Sequence, residues 1–228
     1  MISLRPERRM GSLPSSTDLT RLEHFLTKTS GNTLTHMLFL GDKSLYWSMN
    51  GQVLFPFARV RDKLVVLGDP LGSKSLMKEG ISEFRQEADK YGLTVVFCQT
   101  TPDFYPIYEE QGYLYFKLGE EGFVPLDSFT LNGTKNVELR SISRRFEQEG
   151  YIFEMAEAPH SELLLRELRL ISKEWLAGRT EKGFSMGWFK ESYLQTVSIG
   201  LLRSPDTRIV AYASVIPGYD DQRTISID

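Results

Sequence analysis

The run Glu181-Lys182-Gly183-Phe184-Ser185-Met186-Gly187 concentrates more chemistry than any other in the chain. Opposite charges stand side by side in it, and two glycines allow tight backbone turns. Such a loop can offer amides and a carboxylate to a substrate that bears an ammonium group. Taken alone, a plain exposed loop is the better explanation. Arg140 and Arg144 fall one turn apart on a helix expected over Thr134–Glu149. Two guanidiniums at that spacing can clamp a phosphate, since each presents a planar donor fork. Lys135, beside Gly133 and Thr134, adds a further donor. Most basic pairs on helices are simply solvated. Asp228 closes an alternating stretch, with Ile225 and Ile227 to one side and Ser226 and Asp228 to the other. That alternation puts its carboxylate on the polar face of a strand.

Other runs carry less. Gly68-Asp-Pro-Leu-Gly72 lies between a strand and a helix, where a backbone loop can cradle phosphate. It lacks the spacing of a dinucleotide or P-loop motif, so a connecting turn is preferred. Phe104-Tyr-Pro-Ile-Tyr108 is aromatic enough to stack bases, yet reads better as a short packed helix. No Ser-His-Asp or Cys-His set emerges, and no covalent intermediate is suggested. The three histidines, His24, His36 and His160, are too scattered for a metal site. The single cysteine, Cys98, sits in an apolar run and reads as a buried small hydrophobe.

With 228 residues, 41% hydrophobic and 25% charged, the chain can bury one large or two small cores. A net charge of −3 gives no overall basic field for nucleic acid or anionic lipid, so any such attraction must be local. No apolar run approaches the roughly 18 residues of a membrane span, and Met1–Ser16 lacks the apolar core of a signal peptide. As it stands, the chain reads as soluble and cytoplasmic.

The elements that must position these residues alternate from Thr17 onward. Residues 1–17, with Arg5, Arg8 and Arg9 among Pro, Gly and Ser, read as a flexible leader. A short helix from Asp18 is stopped by Gly31-Asn32. Three strands follow, Lys43–Met49, Gln52–Val60 and Lys63–Leu67, the first two joined by the hairpin signal Asn50-Gly51. A helix over Ser75–Tyr91 presents Met77, Ile81, Phe84 and Ala88 on one face. Leu93–Thr100 is expected as a buried strand, Thr101–Gln111 as a short helix and Tyr113–Leu118 as another strand. This is the order of the acetyltransferase-like (GNAT) fold. A second cycle then begins: a helix capped by Thr134 with Leu139, Ile142 and Phe146 as its core face, and a strand over Tyr151–Glu157. Next comes a helix over Ser161–Trp175 with Leu164, Leu168, Ile171 and Trp175 in one stripe. Strands over Val197–Leu202, Ile209–Pro217 and Arg223–Asp228 complete it. The fold expected is therefore α/β (α+β), with tandem GNAT units over 18–130 and 131–228. The chain halts within a strand, so the second unit is expected to be C-terminally truncated and the fragment to have little activity of its own.

Several segments, in order, carry a resemblance to a known family. These are Phe39-Leu-Gly-Asp-Lys43, Leu67-Gly-Asp-Pro70, Tyr108-Glu-Glu-Gln-Gly-Tyr113, Leu139-Arg140, Ile171-Ser-Lys-Glu-Trp-Leu176 and the Glu181–Phe189 run. From about Leu19 to its end the chain resembles the soluble C-terminal domain of bacterial phosphatidylglycerol lysyltransferases, the lysyl-phosphatidylglycerol synthetases of the multiple peptide resistance factor family.

The resemblance implies an aminoacyltransferase that moves lysine from lysyl-tRNA onto phosphatidylglycerol, giving resistance to cationic antimicrobial peptides, with no cofactor and no metal. It implies a place at the inner face of the cell membrane, in a parent protein that is membrane-anchored. Asp228, Glu181 and Lys182 become the candidate catalytic residues. Asp228 or Glu181 would hold the aminoacyl ammonium or assist proton removal, and Lys182 would support negative charge. Lys135, Arg140, Arg144, Gly183, Phe184 and Ser185 become candidates for substrate binding, to lipid headgroup or tRNA backbone. Ordinary acetyltransferases bind coenzyme A on an Arg/Gln-x-x-Gly-x-Gly/Ala turn. The nearest approach here, Arg8-Arg-Met-Gly11-Ser-Leu13, ends in Leu, so coenzyme A is not expected, and neither is DNA. Two alternatives stay open: an aminoacyl-tRNA-dependent transferase acting on a peptide or cell-wall acceptor, and an inactive tRNA- or lipid-binding fragment.

Overall fold

The computed structural model describes residues 10–220 and 224–228. Arg5, Arg8, Arg9 and Arg223 lie outside the described residues. The fold is mixed α/β with two sheets and is acetyltransferase-like. The chain divides into two compact units that do not follow chain order. One comprises residues 1–113, 180–193 and 216–228, the other 114–179 and 194–215.

The first unit opens with α1 (Ser16–Leu26), started by a reciprocal box: the Ser15 hydroxyl accepts the Asp18 N–H, and the Asp18 carboxylate accepts the Ser15 N–H. The helix ends at Leu26, before the expected Gly31-Asn32. Its Leu22 packs with Leu38, Leu54 and Leu71. A sheet of order β1-β2-β3-β5 follows: β1 (Ser44–Ser48), β2 (Val53–Val60), β3 (Lys63–Leu67) and β5 (Thr94–Cys98). The short β4 (Leu71–Gly72) also pairs with β2. Strands β1 to β3 are antiparallel, and β5 runs parallel to β3 after the crossover helix α2 (Met77–Asp89). The apolar face read from the sequence is the buried face of α2. Phe84 stacks on Phe55 at 4.7 Å between centroids and meets Tyr46 at 4.9 Å. Gly80 lets the helix close on β2, since a Cβ there would stand 3.1 Å from the Val53 side chain.

Polar side chains fasten the places where the backbone departs from regular geometry. The β1–β2 connection is longer than the expected two-residue turn. Ser48 pairs with Val53, leaving residues 49–52 as the loop. Met49 and Asn50 both take positive φ there. Glu83 of α2 holds them, accepting the Met49 N–H at 2.9 Å and the Ser48 hydroxyl at 2.7 Å. At Gly68–Gly72, the reading as a connecting turn agrees with the geometry. Buried Asp69 accepts from Thr101 N–H (2.9 Å), the Thr101 hydroxyl (2.7 Å) and the Tyr108 hydroxyl (2.8 Å). Burial pushes its carboxyl up from the usual value against those three donors. A short 3-10 turn over Pro102–Phe104 leads into α3 (Tyr105–Glu110), and Tyr108 is buried as a packed helix requires.

Two expectations fail at this end of the sheet. Strand β5 is half-exposed, Val95 facing in and Val96 out, and Cys98 is only partly buried. Tyr113–Leu118 forms no strand. Tyr113 turns back, its N–H bonding the Tyr108 carbonyl and its ring set edge-on against Phe97. The chain then leaves the sheet with Leu114, Phe116 and Leu118 exposed.

In the second unit, a 3-10 turn at Thr134–Asn136 leads to α4 (Val137–Gln148), and Thr134 provides no side-chain cap. Leu139 and Ile142 are exposed, so the expected core face of α4 is not buried. The helix α5 (Glu162–Leu176) is capped by Ser161, whose hydroxyl accepts the Leu164 N–H. Its buried side centres on Leu165 and Leu168, and Trp175 is exposed. β6 (Ile152–Ala156), β7 (Ser198–Arg203), β8 (Ile209–Pro217) and β9 (Ile225–Ile227) make the second sheet in that order. β8 runs out of the second unit at Val215, and β9 belongs to the first.

Replacing Asp69 by Ala strands the buried Tyr108 hydroxyl and the Thr101 N–H. We expect a loss of about 3 kcal/mol in urea unfolding, and about 1 kcal/mol for Tyr108→Phe, which removes one of the three donors. Equal losses for the two variants would show that the carboxylate is not the common anchor.

Candidate functional site

Within the first unit the glycine loop meets the turn before β1. A 3-10 helix, Thr35–Leu40, ends on Gly41 in the left-handed conformation at φ 68°. Asp42 and Lys43 follow directly. The Lys43 side chain is completely buried, and its Nζ lies 2.5 Å from Asp42 Oδ1. Burial pushes the Lys43 ammonium below its usual value, against the pull of Asp42. The other carboxylate oxygen of Asp42 accepts the backbone N–H of Phe184 at 2.8 Å. Gly183 and Phe184 are both left-handed, at φ 59° and 62°. A Cβ at residue 183 would lie 2.9 Å from Asp42 Oδ2. Further along, Lys190 donates to the Leu40 carbonyl at 2.8 Å. The turn 39–43 therefore grips the segment 183–190 at both ends.

Between those ends stands Gly187, and the Asp228 carboxylate occupies the place where a side chain would be. A Cβ built on Gly187 would come within 1.4 Å of Asp228 Oδ2. Asp228 is itself exposed, and beside it begins α6 (Glu191–Leu194), which carries buried Tyr193. Burial, and after it the Asp228 charge, push the Tyr193 phenol up. The Tyr193 ring lies 5.2 Å from the ring of His36, whose Nδ1 is 2.8 Å from the Tyr219 hydroxyl. Burial lowers the His36 pKa to about 4, so the imidazole is neutral at neutral pH, and burial lifts the Tyr219 phenol to about 12.

The structure thus brings Asp228 onto the Gly183–Gly187 loop. Phe184 and Ser185 are half-buried in that loop, and Glu181 and Lys182 are exposed at its approach. Lys135, Arg140 and Arg144 belong to the second unit. There, Arg140 Nη1 donates to the carbonyls of Leu131 and Gly133, while Arg144 is exposed. Arg140 is accordingly engaged by its own loop. The sequence reading missed Asp42, Lys43, Lys190, His36, Tyr193 and Tyr219. The signal for the first two lies in the family segment Phe39-Leu-Gly-Asp-Lys43, which assigns them no site role. Chemically, an exposed carboxylate seated on a glycine can hold an ammonium or take a proton from a hydroxyl. Among the described residues no cluster of three or more metal-ligating side chains forms, and no helix is long and apolar enough to cross a membrane.

This fold and loop define an acetyltransferase-like domain whose carboxylate is presented on a glycine turn. The family described as "Phosphatidylglycerol lysyltransferase, C-terminal" matches residues 23–228. The chain belongs to that family. It is 42% identical over 221 residues to the phosphatidylglycerol lysyltransferase of Bacillus subtilis, covering 97% of this chain and 26% of that protein. It is 33% identical to the enzyme of the same name from Staphylococcus haemolyticus, covering 92% of this chain and 25% of that protein. The chain therefore spans about a quarter of the length of these curated relatives. A solved structure described as L-PGS from Bacillus licheniformis superposes with a TM-score of 0.88 at 44% identity, over 97% of this chain and 67% of that one.

The His36 setting has a measurable consequence. An unfolded histidine takes a proton near pH 6.5, whereas the folded one resists until about pH 4. Stability contributed by the neutral imidazole is present above pH 6.5 and is lost as pH falls toward 4, of order 3 kcal/mol at about 1.4 kcal/mol per pKa unit. We expect His36→Phe to flatten the fall in unfolding free energy between pH 7 and 4.5 relative to the unaltered chain. Parallel curves for the two would contradict the assignment.

Proposed function

We propose that this chain is part of the synthase domain of a phosphatidylglycerol lysyltransferase and that the loop 181–187 with Asp228 lines its transfer site. The substrates are lysyl-tRNA and phosphatidylglycerol at the inner face of the membrane, and coenzyme A takes no part. In the reaction a glycerol hydroxyl oxygen of the lipid attacks the ester carbonyl of lysyl-tRNA. A new C–O bond forms to glycerol, the C–O bond to ribose breaks, and the hydroxyl proton ends on the ribose oxygen. One ester replaces another, so the protein has only to place two large substrates, move a proton and steady an oxyanion.

The observation that carries this reading is the seating of the exposed Asp228 carboxylate directly against Gly187 of the loop. Asp228 serves as the group that holds the lysyl ammonium or takes the hydroxyl proton. Glu181 adds negative charge at the approach, and Lys182 supports the developing oxyanion. Lys135 and Arg144 are the second unit's candidates for phosphate, with Arg140 joining only when it releases its loop carbonyls. Net gain of positive charge on the lipid headgroup would weaken binding of cationic antimicrobial peptides.

The test is expression of the gene in a bacterium that makes phosphatidylglycerol but no lysyl-phosphatidylglycerol, followed by mass spectrometry of the lipids. We expect lysyl-phosphatidylglycerol from the unaltered gene and about 100-fold less from Asp228→Asn at equal protein level. An unchanged yield in the variant would remove Asp228 from the site. Absence of the lysyl lipid from the unaltered gene would remove the reaction itself.

A further inference from the structure

Phe184 stands in a backbone conformation that a residue with a side chain avoids. Its φ of 62° follows another left-handed residue, Gly183 at 59°, and such a pair persists only where the surroundings fix it. What fixes it is one carboxylate. Asp42 Oδ2 accepts the Phe184 N–H at 2.8 Å across 142 positions of sequence. Asp42 is itself held by the fully buried Lys43 ammonium on its other oxygen. An ammonium out of water requires a nearby anion, so Asp42 cannot swing away without stranding that charge. Lys190 fastens the far end of the same segment to the Leu40 carbonyl at 2.8 Å, and a Cβ at Gly41 would come 3.3 Å from its Nζ. Between these two holds lies Gly187, beneath the Asp228 carboxylate.

We propose that Asp42 is a positioning residue of the transfer site: through the Phe184 N–H it sets the left-handed turn that places Gly187 under the Asp228 carboxylate. This rests on the reading of that loop as the transfer site. Without the acceptor, Phe184 relaxes to negative φ, Gly187 shifts, and Asp228 loses its seat on it. Asp42 touches no substrate, so its loss weakens the chemical step and not the hold on lipid or tRNA. A misplacement of about 1 Å at reacting groups costs on the order of 100-fold in rate.

The experiment compares Asp42→Ala, Asp42→Glu and the double variant Asp42→Ala with Lys43→Met, which removes both charges together and leaves no stranded ammonium. Amide exchange at Phe184 and lysyl transfer to phosphatidylglycerol vesicles are measured on each, in protein expressed from the whole gene. We expect exchange at Phe184 at least 10-fold faster in Asp42→Ala and in the double variant, with protection of Leu64 and Val66 in β3 kept. We expect kcat to fall 10- to 100-fold with KM unchanged, and Asp42→Glu to recover part of the loss. Unchanged exchange at Phe184 overturns the proposal, and so does faster exchange with unchanged kcat, or a loss that falls on KM alone. If the unaltered protein transfers no lysine, the transferase reading fails first and takes the positioning role with it. That result is seen without any variant.

Discussion

The Asp42 carboxylate is shared between a buried ammonium and a backbone amide far away in sequence, and much of the first unit is arranged so that this sharing holds. Lys43 has no exposed side-chain surface. A lone charge in that position would cost several kcal/mol, so the pair has to be kept close and correctly turned. The 3-10 helix Thr35–Leu40 and the left-handed Gly41 lead the chain to Asp42, and Lys43, the residue before β1, is buried. Once Asp42 is fixed, its second oxygen fixes Phe184.

The same device recurs through the unit. Asp69 gathers Thr101 and Tyr108 to hold the β3 end against α3, and Glu83 gathers Ser48 and Met49 to hold the β1–β2 loop against α2. In each case an acidic side chain satisfies backbone or hydroxyl donors where the chain leaves a regular element. The apolar packing of Phe84 on Phe55 and Tyr46 gives these anchors a rigid base. A loop supported in this way can present amides to a substrate with little reorganisation, which is what an oxyanion-stabilising site requires.

Local patterns in the sequence carried part of this. The α2 face of Met77, Ile81, Phe84 and Ala88 and the strands β1 to β3 follow from periodicity, because their burial is decided within a few residues. The β1–β2 turn was misjudged because Asn50-Gly51 signals a two-residue hairpin, whereas Glu83 stabilises a longer loop from outside it. Tyr113–Leu118 has the alternation of a strand but does not pair with the edge strand β5, since Tyr113 is drawn back onto Phe97 and Tyr108. Leu139, Ile142 and Trp175 show helical spacing without burial, because spacing reports a face and not what covers it. In the site, the glycine loop was visible as a motif and Asp228 through the family resemblance. Asp42 and Lys43 enter only as part of that resemblance. A bond spanning 142 positions leaves no periodic trace, and a charged pair after glycine reads as an ordinary surface turn.

The loop 183–190 belongs energetically to the first unit, through Asp42 and Lys190, although residues of the second unit precede it in the chain. Native-state amide exchange on two core-truncated variants tests this most directly. Phe84→Ala weakens the first unit and Leu168→Ala the second, each by about 3 kcal/mol. We expect faster exchange at the Phe184 and Tyr193 amides in Phe84→Ala and no change there in Leu168→Ala. The reverse pattern, with those amides following Leu168 and indifferent to Phe84, would contradict it.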